Sequence, residues 1–145
     1  MTDNEPNVSR ERLIELLNED LAREYQAVIA YVVYSQVIKG AAYMNIAAEL
    51  EKHAQEELAH ALIIAKQIDY PGGMPTVTAL PVKTSDKAED LLRDLDNENQ
   101  TIRSYRLRQC ESVGEYAIAE HIRGILVNEQ EHQIDLQTAL GKGVS

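Results

Sequence analysis

Two Glu-x-x-His quartets, Glu57-Leu58-Ala59-His60 and Glu129-Gln130-Glu131-His132, each follow a lone upstream glutamate, Glu24 and Glu98. This spacing constrains the fold before any other feature does. If two antiparallel helices carry residues at one height, the turn joining them lies near the mean of their numbers, because each residue rises about 1.5 Å along either axis. The mean of 24 and 57 is 40.5, and Gly40 stands there; the mean of 98 and 129 is 113.5, and Gly114 stands there. Glycine closes helices readily because it takes φ > 0 without steric cost. Two helical hairpins, each holding two glutamates opposite each other, follow from the spacing.

Apolar periodicity predicts four helices. The first runs over Ser9 to Lys39, with Ser9 as its cap, and lines up Leu13, Leu17, Leu21, Glu24, Val28, Tyr31, Ser35 and Ile38. The second, Ala41 to Asp69, lines up Ile46, Leu50, His53, Glu57, His60, Ile64 and Ile68. The third begins near Ser85 or Asp86, runs to Ser112, and carries Leu91, Leu95, Glu98, Ile102, Tyr105 and Gln109. The fourth, Glu115 to Leu140, carries Ile118, His121, Ile125, Glu129, His132, Leu136 and Leu140. In every stripe the quartet or lone glutamate interrupts the apolar face.

Between the second and third helices, Tyr70 to Ser85 holds Pro71, Gly72, Gly73, Pro75 and Pro81 and cannot be helical throughout. Extended, such a link reaches roughly 53 to 58 Å, more than the ~40 Å of a helix of this length. It can therefore return along the whole bundle and set the second and third helices parallel. The expected fold is all-α: an antiparallel four-helix bundle with one long crossover between helices two and three. A short N-terminal arm (1–8), the bundle (9–140) and a C-terminal tail (141–145) complete the expected organisation.

Four carboxylates inside a helical core are untenable as bare anions, because burial and mutual repulsion both oppose ionisation. Two divalent cations cancel them. Residues three apart share a helix face, so Glu57 with His60, and Glu129 with His132, converge, and Glu24 and Glu98 complete a six-ligand set for two metals. Carboxylates and imidazoles without thiolate favour iron, with manganese the alternative. Tyr31 and Tyr105 each lie seven residues beyond a lone glutamate, and His53 lies one turn before Glu57. These three are the candidate neighbours of the centre, set against ordinary packing roles; His53 could also serve as an accessory ligand.

Composition narrows the partners. The net charge is -10, which disfavours a nucleic-acid backbone. Met1 to Ser9 is polar and acidic and no apolar run approaches membrane length, so neither signal peptide nor membrane span is expected, and a cytoplasmic location is. Cys110 is the single cysteine, consistent with a reducing compartment. From Ala27 to Val33, and on through Tyr34 and Val37, the first helix is apolar around most of its circumference, more than one bundle core uses. A homodimer is the minimum expectation.

Across Ser9 to Leu140 the sequence resembles the bacterioferritin and ferritin-like di-iron carboxylate family, on the six residues just named. The resemblance implies that Glu24 and Glu98 are the terminal carboxylates of a ferroxidase centre, Glu57 and Glu129 its bridging carboxylates, and His60 and His132 its nitrogen ligands, with Tyr31 beside them. It implies oxidation of Fe(II) by dioxygen or hydrogen peroxide for iron storage or detoxification, and dimers that can build a hollow cage. Leu58 stands where haem-binding members carry methionine, so haem is not expected. Only Gly141 to Ser145 follow the last helix, so the short fifth helix of larger ferritins is not expected either. Two other functions stay open: a rubrerythrin-like peroxidase drawing on an external electron donor, and a non-catalytic metal-stabilised oligomeric bundle or mini-ferritin.

Overall fold

A computed structural model describes residues 6–95, 100–139 and 141. The described residues form helices and connecting loops with no strand. Helix α1 spans Arg10–Val37, α2 Met44–Asp69, α3 Ala88–Leu95, α4 Gln100–Ser112 and α5 Tyr116–Ala139, and a 3-10 turn, Ala41–Tyr43, precedes α2. The predicted third helix is thus represented by α3 and α4. Glu98 and Leu140 lie outside the described residues.

Ser9 caps α1 as the sequence indicates, its hydroxyl accepting a hydrogen bond from the Arg12 amide at 3.1 Å. The hairpin turns fall at the expected glycines. Gly40 has φ 106° and Gly114 φ 78°, backbone states that cost a side chain steric strain. At the Gly114 end, the Arg10 guanidinium reaches back from α1 to the Glu115 carboxylate and donates to the Val113 carbonyl at 2.7 Å.

The crossover tracks α1 along its length. Asn18 Nδ2 donates to the Met74 carbonyl at 3.0 Å, the Leu80 amide to the Ala22 carbonyl at 3.2 Å, and Gln26 Nε2 to the Pro81 carbonyl at 2.7 Å. Further along, the Tyr34 hydroxyl meets the Lys83 carbonyl and, at 2.7 Å, the Asp94 carboxylate. Rising numbers in the crossover meet rising numbers in α1, so the link returns to the end where α2 began. The polypeptide then descends again through α3 and α4, parallel to α2, as the long link requires.

The apolar core is split by polar residues. One cluster gathers Leu13, Leu17, Leu21, Ile64, Ile68, Cys110, Ile118, Ile122 and Ile125; the other gathers Tyr31, Tyr34, Ile38, Leu50, Leu91, Leu92 and Leu136. Each fully buried aliphatic side chain contributes about 1.5–3 kcal/mol, so the two clusters clamp whatever lies between them. On α5 the inward position is Ile122, and His121, expected on the inner stripe, is exposed. One step along a helix turns a side chain by about 100°, and the larger apolar isoleucine takes the core.

Candidate metal centre

Between the two apolar clusters lies a layer of polar side chains almost removed from water. Glu24, Glu57, His60 and His132 are buried, and Glu129 is half-buried. Donor atoms of Glu24, Glu57, His60 and Glu129 all lie within 4.8 Å of one another. His60 Nδ1 is 3.3 Å from Glu57 Oε2 and 3.8 Å from Glu24 Oε2. His132 Nδ1 is 3.0 Å from Glu57 Oε1, and its Nε2 is 2.9 Å from Glu56 Oε2. A cavity of about 260 Å³ opens beside Glu24, Glu57, Glu129 and His132.

Two atoms test whether this layer suits metal. Glu24 Oε2 and His132 Nδ1 are buried without a hydrogen-bond partner, a state that costs about 1–3 kcal/mol each. Both belong to side chains packed against Glu57. His132 Nδ1 is close to the Glu57 carboxylate yet out of line for a hydrogen bond, while its other ring nitrogen is held by Glu56. That is the disposition of a metal-ligating histidine fixed from behind by a carboxylate. The donor set fits divalent metal.

The electrostatics reflect crowded carboxylates. Burial, and then the neighbouring Glu57 and Glu129 charges, hold the Glu24 carboxyl well above its ordinary range against the pull of Arg103. Burial would raise Glu57 too, but its close contacts with Glu24, His132 and His60 outweigh it and keep Glu57 well below the usual carboxylate range. Burial opposes the charged form of His132, yet the neighbouring Glu57 and Glu56 carboxylates raise it. Burial and the negative charges of Glu57 and Glu129 push the Tyr31 phenol well up. The Tyr31 ring lies edge-on to His53 at 5.7 Å and to His132 at 5.9 Å between centroids.

Helix α4 departs from the sequence reading. Its buried residues are Arg103, Arg106, Gln109 and Cys110, whereas Tyr105, expected to face the centre, is half-buried with the Arg108 guanidinium 5.5 Å from its ring centroid. The physical reason is charge. Asp20 is fully buried on α1 one turn below Glu24, and an unpaired buried carboxylate is far costlier than a buried ion pair. Arg106 answers Asp20. Arg103 meets Glu24, and its Nη2 lies 3.1 Å from Glu129 Oε1. Burial alone would favour loss of the Arg103 proton, but Glu24, Glu129 and Asp20 outweigh it and hold the guanidinium charged. The sequence hint is an arginine three residues ahead of another, off the stripe of Ile102, Tyr105 and Gln109.

The comparisons with known proteins agree with this architecture. Residues 14–144 match the family model described as a ferritin-like domain. The chain belongs to the ferritin-like family. Within that family it is similar to a bacterioferritin of Desulfovibrio desulfuricans, 29% identical over 125 residues, 83% of this chain and 70% of that protein. A bacterioferritin of Brucella melitensis is 26% identical over 141 residues, 90% of this chain and 88% of the relative. Among solved structures, a protein described as ferritin-like and diiron-carboxylate from Bacillus anthracis superposes with a TM-score of 0.84 at 28% identity, covering 92% of this chain and 99% of that one. Among the described residues, no helix is long and apolar enough to cross a membrane.

Proposed function

We propose that this ferritin-like protein is a ferroxidase, with Fe(II) as substrate bound at Glu24, Glu57, His60, Glu98, Glu129 and His132. The observation that carries the reading is the buried donor layer in which Glu24 Oε2 and His132 Nδ1 lack hydrogen-bond partners. The bacterioferritin relatives and the diiron-carboxylate neighbour support it. Manganese(II) suits the same oxygen-rich donors and serves as a non-reacting probe.

The residues divide the work. Glu57, close to Glu24, His60 and His132, would with Glu129 be shared between two ions. Glu24 with His60 would complete one side, and Glu98 with His132 the other. Glu56 fixes the ring of His132 from behind. Two ferrous ions supply two electrons, the number that converts hydrogen peroxide and two protons to two waters, or dioxygen and two protons to hydrogen peroxide. Iron binding at these carboxylate and imidazole donors would displace protons that compete for the same atoms.

Arg103 serves as counter-cation for Glu24 and Glu129 before iron binds, and gives up those carboxylates as the ions enter. Exposed Ile29, Val32 and Val37 on α1 and Leu58 and Leu62 on α2 support self-association through these paired helices. The function is tested by adding Fe(II) aerobically and following ferric absorbance. Wild-type protein oxidises iron rapidly, and Glu57→Ala, with helicity unchanged by circular dichroism, does not. A Glu57→Ala protein as fast as wild type would refute the bridging role.

A further inference from the structure

Glu56 lies between two imidazoles. His132 Nε2 sits 2.9 Å from Glu56 Oε2, and His53 Nδ1 sits 3.6 Å from Glu56 Oε1, with the two rings 3.9 Å apart between centroids. Each ring turns its other nitrogen away, toward a different set of carboxylates. For His132 that nitrogen faces Glu57 and the main centre. For His53 it is Nε2, 3.1 Å from Asp135 Oδ2, in a group whose donor atoms, from Glu49, His53 and Asp135, lie within 4.8 Å of one another.

His53 is only 4% exposed, and its Nδ1 has no hydrogen-bond partner. A neutral imidazole carries one N–H. With carboxylates at both nitrogens, one lone pair must face one of them. A cation on Nε2 resolves this: the hydrogen then resides on Nδ1, aimed at Glu56, and the lone pair on Nε2 meets the ion.

We infer that Glu49, His53 and Asp135 form an additional site for a divalent transition-metal ion, with Glu56 as the positioning carboxylate behind His53. One nitrogen and two carboxylates suit Fe(II), Mn(II) or Zn(II). Its three donors are separate from those of the main layer, which it adjoins through Glu56 and the His53–His132 ring contact. Its ligands grade outward, from buried His53 to half-exposed Asp135 and exposed Glu49, so an ion there is reachable from solvent. Its existence does not require the ferroxidase reading.

Equilibrium dialysis of the full chain against Zn(II), with bound metal counted by elemental analysis, tests the site. Wild type is expected to retain about three ions per chain, and the Glu49→Gln/Asp135→Asn protein about two. Glu57→Ala/Glu129→Ala retains the ion that the first pair removes. His53→Gln, if folded, matches Glu49→Gln/Asp135→Asn; those two substitutions lie at accessible positions and keep the test available if it is not. If the main centre is wrong and this site right, wild type holds one ion and Glu49→Gln/Asp135→Asn none. Equal occupancy in wild type and Glu49→Gln/Asp135→Asn overturns the inference.

Discussion

Asp20 and Arg106 meet inside the bundle as a two-point ion pair, Arg106 Nε to Asp20 Oδ2 at 2.6 Å and Nη2 to Oδ1 at 3.0 Å. Both side chains are almost wholly removed from water, and Arg106 Nη1 is further occupied by Gln109 Oε1 at 2.5 Å. Pairing of this kind offsets desolvation without exceeding what apolar packing would supply. Arg106→Met alone should therefore cost about 3–5 kcal/mol, by leaving Asp20 buried and unpaired. Asp20→Leu/Arg106→Met should recover most of that loss. Urea midpoints of the three proteins check this, and a double variant as unstable as the single one contradicts it.

Arg103 pairs with Glu24 and Glu129 and is expected to compete with metal for these carboxylates. Its charge neutralises part of the Glu24 and Glu129 pair in the metal-free protein, so Arg103→Gln should lower the melting temperature without metal. The same change should tighten Mn(II) binding at the centre by on the order of tenfold, equivalent to about 1.4 kcal/mol. Calorimetric titration reads the affinity directly. Unchanged or weaker Mn(II) binding would show that the guanidinium does not stand in the ions' way.

Metal should stabilise the fold. A ligand that binds only the native state adds about 2.7 kcal/mol at a hundredfold excess over Kd, which for a domain of this size raises Tm by roughly 5–10 °C. Differential scanning calorimetry under anaerobic Fe(II), or with Mn(II), checks it. A melting temperature indifferent to both ions contradicts a carboxylate layer that needs cations.

Cys110 is fully buried, and burial pushes its thiol up to about 12 despite the nearby Arg106. Because the folded thiol holds its proton to higher pH than the unfolded one, this contribution to stability is complete below the ordinary thiol range and fades as pH rises from about 9 toward 12. At pH 8 iodoacetamide should label Cys110 only as fast as the protein opens. Rapid labelling of the folded protein would place the thiol at the surface.

The sequence carried the architecture because the helices, turns and crossover depend on local chemistry and periodicity. Gly40 and Gly114 take the positive φ that the symmetric spacing of glutamates requires, and the proline-rich link follows α1 as its length permits. The α2 stripe of Leu50, His53, Glu57, His60, Ile64 and Ile68 is buried throughout. Arg103 and Arg106 were illegible because their burial answers Asp20 and Glu24 on another helix, a tertiary demand that no single-helix pattern records. Glu56 escaped for a related reason. It sits beside Glu57 in sequence, but its place follows from His53 and His132, brought together only in the folded bundle.

The most direct measurement is anomalous scattering from crystals soaked in Mn(II) or, anaerobically, Fe(II). Two adjacent peaks within one chain, among Glu24, Glu57, His60, Glu129 and His132, are the expected result. No peak among those residues, with Arg103 still joined to Glu24 and Glu129 at saturating metal, would contradict the account.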